Sequence, residues 1–153
     1  MPPGAGFKHL GETALHDLNG ACLCGAVTYV IPDALRYAGY CHCQDCRRFS
    51  GSIFSAYGGV AAEDMRITAG DAEIKRFAKS DETIMVFCQN CGSSLFAEKP
   101  AIGMVHVRLG TLTDLPSLAP QVHAYVGSKV PWFEITDGLP EYALGSTLGG
   151  TVP

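Results

Sequence analysis

Seven cysteines in three short clusters are the residues of this chain best suited to chemistry. The first cluster is Cys22 and Cys24, the second is Cys41, Cys43 and Cys46, and the third is Cys88 and Cys91. Two of the clusters contain cysteines one residue apart, so a disulfide within such a pair would be strained. The odd number of thiols also argues against a disulfide framework. Thiolates are preferred zinc ligands, so the clusters predict metal binding.

The number of cysteines suggests how they divide between metal ions. Four ligands close a structural zinc site, whereas a catalytic zinc keeps three protein ligands and one open position. Pairing the first cluster with the third uses four cysteines and leaves the second as three ligands from one loop. This division predicts two Zn²⁺ per chain. The alternative places four cysteines of the second and third clusters on one zinc and leaves the first cluster as a buried free pair.

Several polar residues next to the second cluster are candidates for substrate binding. Arg47 and Arg48 follow it directly, and an arginine fork matches the carboxylates of a peptide-like thiol. Ser50 lies two residues further along and is expected at the mouth of the same site. His42 stands between two of the cysteines, and we expect its side chain to face away from the metal.

The elements that position these residues are short strands separated by Gly, Pro, Asp and Asn, which predicts an all-β fold. One helical turn is expected over Gln44–Phe49. The predicted strands are Ala26–Ile31, Leu35–Tyr40, Phe54–Val60, Met65–Ala69, Ile74–Phe77, Ile84–Phe87, Ser94–Ala97, Met104–Leu109 and Val122–Tyr125. We expect a single domain over residues 19–144, between loosely held segments at 1–18 and 145–153.

Charge and hydropathy narrow the class of protein. Lys and Arg number 11 against 15 Asp and Glu, which gives a net charge of -4 and no basic field for nucleic acid. The apolar runs are far shorter than the roughly 20 residues that span a bilayer, and the first residues lack the pattern of a signal peptide. We expect a cytoplasmic protein that binds neither nucleic acid nor membrane.

Four separated motifs carry a family resemblance that runs from about Gly20 to Tyr142. They are GACLCGAVTYVI, YCHCQDCRRFSGS, FCQNCGSSLF and HAYVGSKVPWFEITDGLPEY, in that order. Together they resemble the GFA domain family, named for the glutathione-dependent formaldehyde-activating enzyme and shared with centromere protein V. The resemblance implies a β-tent fold, in which two antiparallel sheets stack and hold zinc sites at their strand ends. It also implies a structural zinc on the first and third clusters and a catalytic zinc on the second.

The resemblance further implies a carbon–sulfur lyase that joins a thiol such as glutathione to a small aldehyde such as formaldehyde, or releases it. Ligation to zinc favours a thiolate over a thiol, so an open position would select thiols. A different reading is a zinc-stabilised module that binds other proteins without catalysis. That reading predicts a fourth protein ligand closing the site of the second cluster.

Overall fold

The computed structural model describes residues 16–145, which form ten strands and one seven-residue α-helix. Within this range four single turns of 3₁₀-helix lie between strands, and a fifth follows the last strand. The strands are β1 (Asp17–Ala21), β2 (Thr28–Pro32), β3 (Tyr37–Cys41), β4 (Ser55–Ala61), β5 (Arg66–Ala69), β6 (Ile74–Ser80), β7 (Thr83–Cys88), β8 (Ser94–Lys99), β9 (Met104–Arg108) and β10 (His123–Ala124). The helix α1 (Gln44–Ser50) lies between β3 and β4. No helix within residues 16–145 is long and apolar enough to cross a membrane.

The strands form two sheets. The small sheet has the order β1-β2-β5 and is antiparallel throughout. The large sheet has the order β10-β3-β4-β9-β8-β7-β6, and its pairs are antiparallel except for the short parallel pair of β10 with β3. The prediction of an all-β fold built from two stacked antiparallel sheets is confirmed.

The main core lies between the two sheets. Tyr29 and Ile31 from the small sheet pack with Val86, Phe96 and Val107 from the large sheet, and all five side chains are buried. The rings of Tyr29 and Phe96 meet edge to face at 6.1 Å between their centroids. Each such side chain contributes about 1.5–3 kcal/mol through burial, so this interface holds the sheets together.

The opposite face of the large sheet carries a second, more polar cluster. Tyr57 pairs with Arg108 and Gly59 pairs with His106 across β4 and β9, so their side chains share one face. Tyr37 covers Gly59, where an added Cβ would lie 2.4 Å from the tyrosine ring. Helix α1 stands at one end of this face, and its Phe49 contacts Phe87 of β7. This face therefore forms the floor of a site beside α1.

All nine predicted strands are present, with ends that shift by a few residues, and the predicted helical turn extends to Ser50. The prediction missed β1, because DLNGA contains one large apolar residue and a glycine. The small sheet needs β1 nonetheless, since Leu18 is fully buried. The ordered domain thus begins before residue 19. The expectations for residues 1–15 and 146–153 lie outside the described residues.

Candidate metal centres

The first and third clusters meet in one four-cysteine site. The Sγ atoms of Cys22, Cys24, Cys88 and Cys91 all lie within 4.8 Å of one another. Cys22 Sγ is 3.6 Å from Cys24 Sγ, and Cys24 Sγ is 3.9 Å from Cys88 Sγ. A tetrahedral zinc with bonds of about 2.3 Å to sulfur places its ligands about 3.8 Å apart. The donor set and its spacing fit a closed structural zinc site.

Two hairpins build this site, one from each sheet. The hairpin between β1 and β2 carries Cys22 and Cys24, and the hairpin between β7 and β8 carries Cys88 and Cys91. Each turn contains a glycine with a left-handed backbone, Gly25 at φ 78° and Gly92 at φ 76°. A metal bound here would fasten the small sheet to the large sheet at one end of the core.

Hydrogen bonds favour the thiolate form at two of these ligands. The Ser93 hydroxyl lies 3.3 Å from Cys91 Sγ and, with the Ser93 backbone N–H, lowers the pKa of Cys91 to about 5. The N–H of Val27 donates to Cys22 Sγ at 3.2 Å. Burial opposes ionisation of Cys22, but this N–H and the neighbouring thiols leave its pKa below the ordinary value. Such N–H donors orient thiolates around a metal.

The second cluster forms a separate three-cysteine site, called the triad below. Cys41 ends β3, Cys43 is the N-cap of α1, and Cys46 lies in the first turn of that helix. The N–H of Cys46 donates to Cys43 Sγ at 3.3 Å, so the cap itself orients a sulfur. The three Sγ atoms lie within 4.8 Å of one another. The seven cysteines thus lie in the groups of four and three that the predicted division requires, and no group combines the second cluster with the third among the described residues.

The three thiols of the triad shift one another's pKa values. Hydrogen bonds from Cys41 and then Cys46 lower the pKa of Cys43 to about 2. The hydrogen bond to Cys43 is also the largest cause that raises the pKa of Cys41. One thiolate therefore forms easily and the other sulfurs keep their protons unless a cation arrives. This is the donor chemistry of a metal site.

The triad lies at the wall of a cavity of about 140 Å³. Its lining includes three cationic side chains, Lys79, Lys99 and Arg108. Tyr57 and His106, from the polar face of the large sheet, also line it. The lining residues are Cys41, Cys43, Asp45, Cys46, Tyr57, Lys79, Thr83, Met85, Ala97, Lys99, His106, Arg108 and Tyr125. Sequence reasoning found the cysteines but missed the cations, which come from strands far along the chain.

Arg108 is the most buried of the three cations, with 6% of its surface exposed. Its guanidinium carbon lies 5.3 Å from the centre of the Phe49 ring, beneath helix α1. Burial lowers the pKa of Arg108, and the charges of Cys46, Cys41 and Cys43 act in the opposite direction. Within residues 16–145 it has no carboxylate partner, so the triad supplies its counter-charge.

Lys79 and Lys99 differ in their partners. The Nζ of Lys79 lies 2.6 Å from Asp45 Oδ2, and both side chains are partly exposed. Lys99 is half-buried, and its Nζ donates to the Thr83 hydroxyl at 2.8 Å. Burial lowers the pKa of Lys99, and Cys46 and Cys41 partly offset this through their charge. The described part of the chain offers Lys99 no salt bridge.

The three residues predicted to bind substrate do not line this cavity. Arg48 lines a neighbouring depression with Phe49 and Phe77, and Ser50 lines a different one with Ser52. The Nε of Arg47 is buried without a hydrogen-bond partner in the part of the chain that the structure describes. Their contact with a substrate stays a prediction.

His42 is fully buried and lies outside the group of cysteines that converge on the triad. Its ring contacts Phe54 and Phe133 at 5.4 Å and 6.4 Å between centroids, in an aromatic layer behind the triad. Its Nε2 lies 2.8 Å from Nδ1 of His123. The expectation that His42 faces away from the metal agrees with these contacts.

Comparison with known proteins gives two curated relatives, each similar to this chain over more than half of its length. A provisionally named glutathione-dependent formaldehyde-activating enzyme of Colletotrichum graminicola is 29% identical over 96 residues, 59% of this chain and 49% of that protein. An uncharacterised lyase of Schizosaccharomyces pombe is 26% identical over 80 residues, 52% of this chain and 56% of that protein. The chain thus spans about half the length of the curated relatives it matches.

A solved structure from Rhodobacter sphaeroides shares the fold. It superposes with a TM-score of 0.55 at 20% identity and covers 67% of this chain and 97% of its own. The family model described as glutathione-dependent formaldehyde-activating enzyme matches residues 17–128, which contain both cysteine sites. This match covers most of the described chain, and the protein belongs to the GFA family.

Proposed function

We propose that this protein is a zinc-dependent enzyme of the carbon–sulfur lyase type with two Zn²⁺ per chain. In this proposal it binds a thiol such as glutathione at the triad and adds it to, or releases it from, a small aldehyde such as formaldehyde. The observation that carries the proposal is the convergence of three thiols on a cavity, with no fourth protein ligand in that group among the described residues. Three protein ligands with one free position are the pattern of a catalytic zinc site.

Zinc at the triad would favour the thiolate form of the incoming thiol at neutral pH. The protein residues then set the electrostatics of the reaction. Three cysteine thiolates donate negative charge, and Arg108 offsets part of it from beneath the helix. A nucleophile in this environment keeps its electron density, which suits attack on a carbonyl carbon. Confinement in the cavity supplies proximity and orientation.

The size of the cavity indicates that only part of a glutathione-sized thiol would fit inside it. A volume of about 140 Å³ is below the roughly 300–1,000 Å³ of pockets that enclose drug-sized ligands. The sulfur end of the thiol and a small aldehyde would enter together, while the rest of a tripeptide would lie outside. Lys79 and Asp45 line the cavity and are partly exposed, so they are suited to contact that outer part.

Zinc content and exchange kinetics test the proposal together. Protein purified under reducing conditions is expected to carry two zinc ions per chain, and Cys43→Ala is expected to carry one. NMR exchange of glutathione and formaldehyde with their adduct should be faster with wild type than with buffer, and should return to the buffer rate in the variant. Leu115→Ala, at a 92% exposed position, is the matched control for handling and metal loading.

One zinc ion in both proteins and no exchange above the buffer rate would contradict the enzymatic proposal. That result would favour a zinc-stabilised interaction module. We also propose a cytoplasmic location, because the seven cysteines are free in the structure and a reducing compartment would keep them so.

A further inference from the structure

Lys99 is a half-buried cation whose charge has no evident structural use. It is the last residue of β8, and its Nζ is held by the hydroxyl of Thr83, itself a buried side chain. No carboxylate within residues 16–145 forms a salt bridge with it. Burying a charge is costly unless it is paired, so an unpaired lysine in a cavity indicates a ligand with negative charge.

Two cysteines of the triad, Cys46 and Cys41, are the groups whose negative charge raises the pKa of Lys99. Cys46 and Cys41 act on Lys99 through their charge, yet no hydrogen bond joins them to its Nζ among the described contacts. Lys99 and the triad line the same cavity. A small molecule in that cavity would therefore lie next to both the sulfur nucleophile and Lys99.

The other two cations of the cavity already have negatively charged partners. Lys79 pairs with Asp45 and keeps 40% of its side chain exposed. Arg108 lies over Phe49 and compensates the charge of the triad. Tyr125 also lines the cavity, but its phenol carries no charge that could offset an oxyanion. Lys99 is thus the cation best placed to meet charge that develops on a substrate.

We propose that Lys99 is a catalytic residue whose ammonium donates a hydrogen bond to the carbonyl oxygen of the aldehyde, and that Thr83 positions it. This inference rests on the proposed function. During addition the sulfur–carbon bond forms and the carbonyl π pair moves onto oxygen. The oxygen then takes up the proton that the thiol lost on binding. In the reverse direction the hydroxyl loses its proton, the carbonyl re-forms and the sulfur–carbon bond breaks, so no further reactant is needed.

Charge stabilisation of this kind has a measurable signature. Removal of one donor to an oxyanion lowers kcat by about 10²–10³-fold. Because the developing charge exists only in the transition state, binding of the thiol should change much less than the rate. Removing a half-buried unpaired cation should also leave the fold at least as stable. Loss of rate without loss of stability separates a catalytic role from a structural one.

The test compares Lys99→Met with Lys75→Met, which removes an exposed lysine from the edge strand β6. Both variants should retain two zinc ions per chain. Lys99→Met should lower kcat for adduct exchange by about 10²–10³-fold. Its affinity for glutathione, measured by calorimetry, should stay within threefold of wild type, and its Tm should not fall. Lys99→Arg should restore part of the rate, and Thr83→Val should lower kcat by a smaller factor than Lys99→Met.

The outcomes separate this inference from the function on which it rests. A wild-type exchange rate in Lys99→Met would overturn the role of Lys99 and leave the proposed function intact. Loss of zinc or a lower Tm in Lys99→Met, in step with the loss of rate, would overturn it in favour of a structural role. Wild-type protein with two zinc ions but no exchange would overturn both.

Discussion

The imidazole Nε2 of His42 lies 2.8 Å from Nδ1 of His123, and His123 Nε2 lies 2.8 Å from Asp137 Oδ2. The carboxylate can only accept, so His123 donates from Nε2. With His123 neutral, its Nδ1 then accepts from Nε2–H of His42. The chain of contacts links the loop of the triad, through β10, to the tail of the domain. His42 is thus a support for the loop that carries the cysteines.

Asp137→Ala should weaken metal binding at the triad without touching a ligand. Losing the acceptor frees the His123 ring and then the His42 ring, so the loop of the triad becomes less ordered. Groups that orient metal ligands from behind are worth about 10–100-fold in affinity, and we expect about tenfold here. Competition with a zinc chelator measures the loss, with Asp81→Ala at an exposed turn as the control. Unchanged affinity at the triad would show that the chain of contacts does not support it.

The two metal sites should contribute differently to stability. Cys91→Ala breaks the site that joins the two sheets, and structural zinc contributes its binding energy to folding. We expect the free energy of unfolding to fall by more than about 4 kcal/mol, whereas Cys43→Ala, which removes the N-cap of α1, should cost about 2 kcal/mol or less. Denaturant titration of both variants under reducing conditions gives the comparison. Equal losses would contradict the division into structural and catalytic sites.

Gly70→Ala should disturb the structural site from a distance. Gly70 has φ +77°, and an added Cβ would lie 2.0 Å from the carbonyl oxygen of Ala26, on the hairpin of Cys22 and Cys24. The backbone cannot yield cheaply there, so we expect a loss of more than about 3 kcal/mol. Gly138→Ala is the matched control, because it has φ +74° with nothing within 4 Å of the added Cβ. It should cost about 1–2 kcal/mol, from the left-handed backbone alone.

His106 should make the fold sensitive to acid. Burial lowers the pKa of His106 to about 3, while an unfolded histidine titrates near about 6.5. Between these two pH values His106 is protonated in the unfolded chain but not in the folded chain. Its contribution to the free energy of unfolding is therefore fully present above about pH 6.5 and decreases as the pH falls. His106→Phe should reduce the slope of unfolding free energy against pH by up to about 1.4 kcal/mol per unit in this window. Urea titrations from pH 5 to 7 measure both slopes, and equal slopes would contradict the prediction.

Much of the chemistry was visible in the sequence because it depends on local properties. The types and spacing of the cysteines predicted the two groups of ligands, and short apolar runs between turn residues predicted the strands. Donor type and strand periodicity depend on a few neighbouring residues, which explains why these predictions agree with the structure. Strand β1 was not predicted, because Leu18 is the single large apolar residue in it. The burial of Leu18 depends on the pairing of β1 with β2.

The surroundings of the triad depended on long-range pairing. Arg47 and Arg48 adjoin Cys46 in sequence, but successive residues of a helix point in different directions, and neither lines the cavity. Lys99 and Arg108 lie more than fifty residues from the triad in sequence. They reach it because β8 and β9 pair in the sheet that also contains β3. Such pairing is set by the register and packing of the whole sheet, so no local pattern in the sequence marks these cations as neighbours of the cysteines.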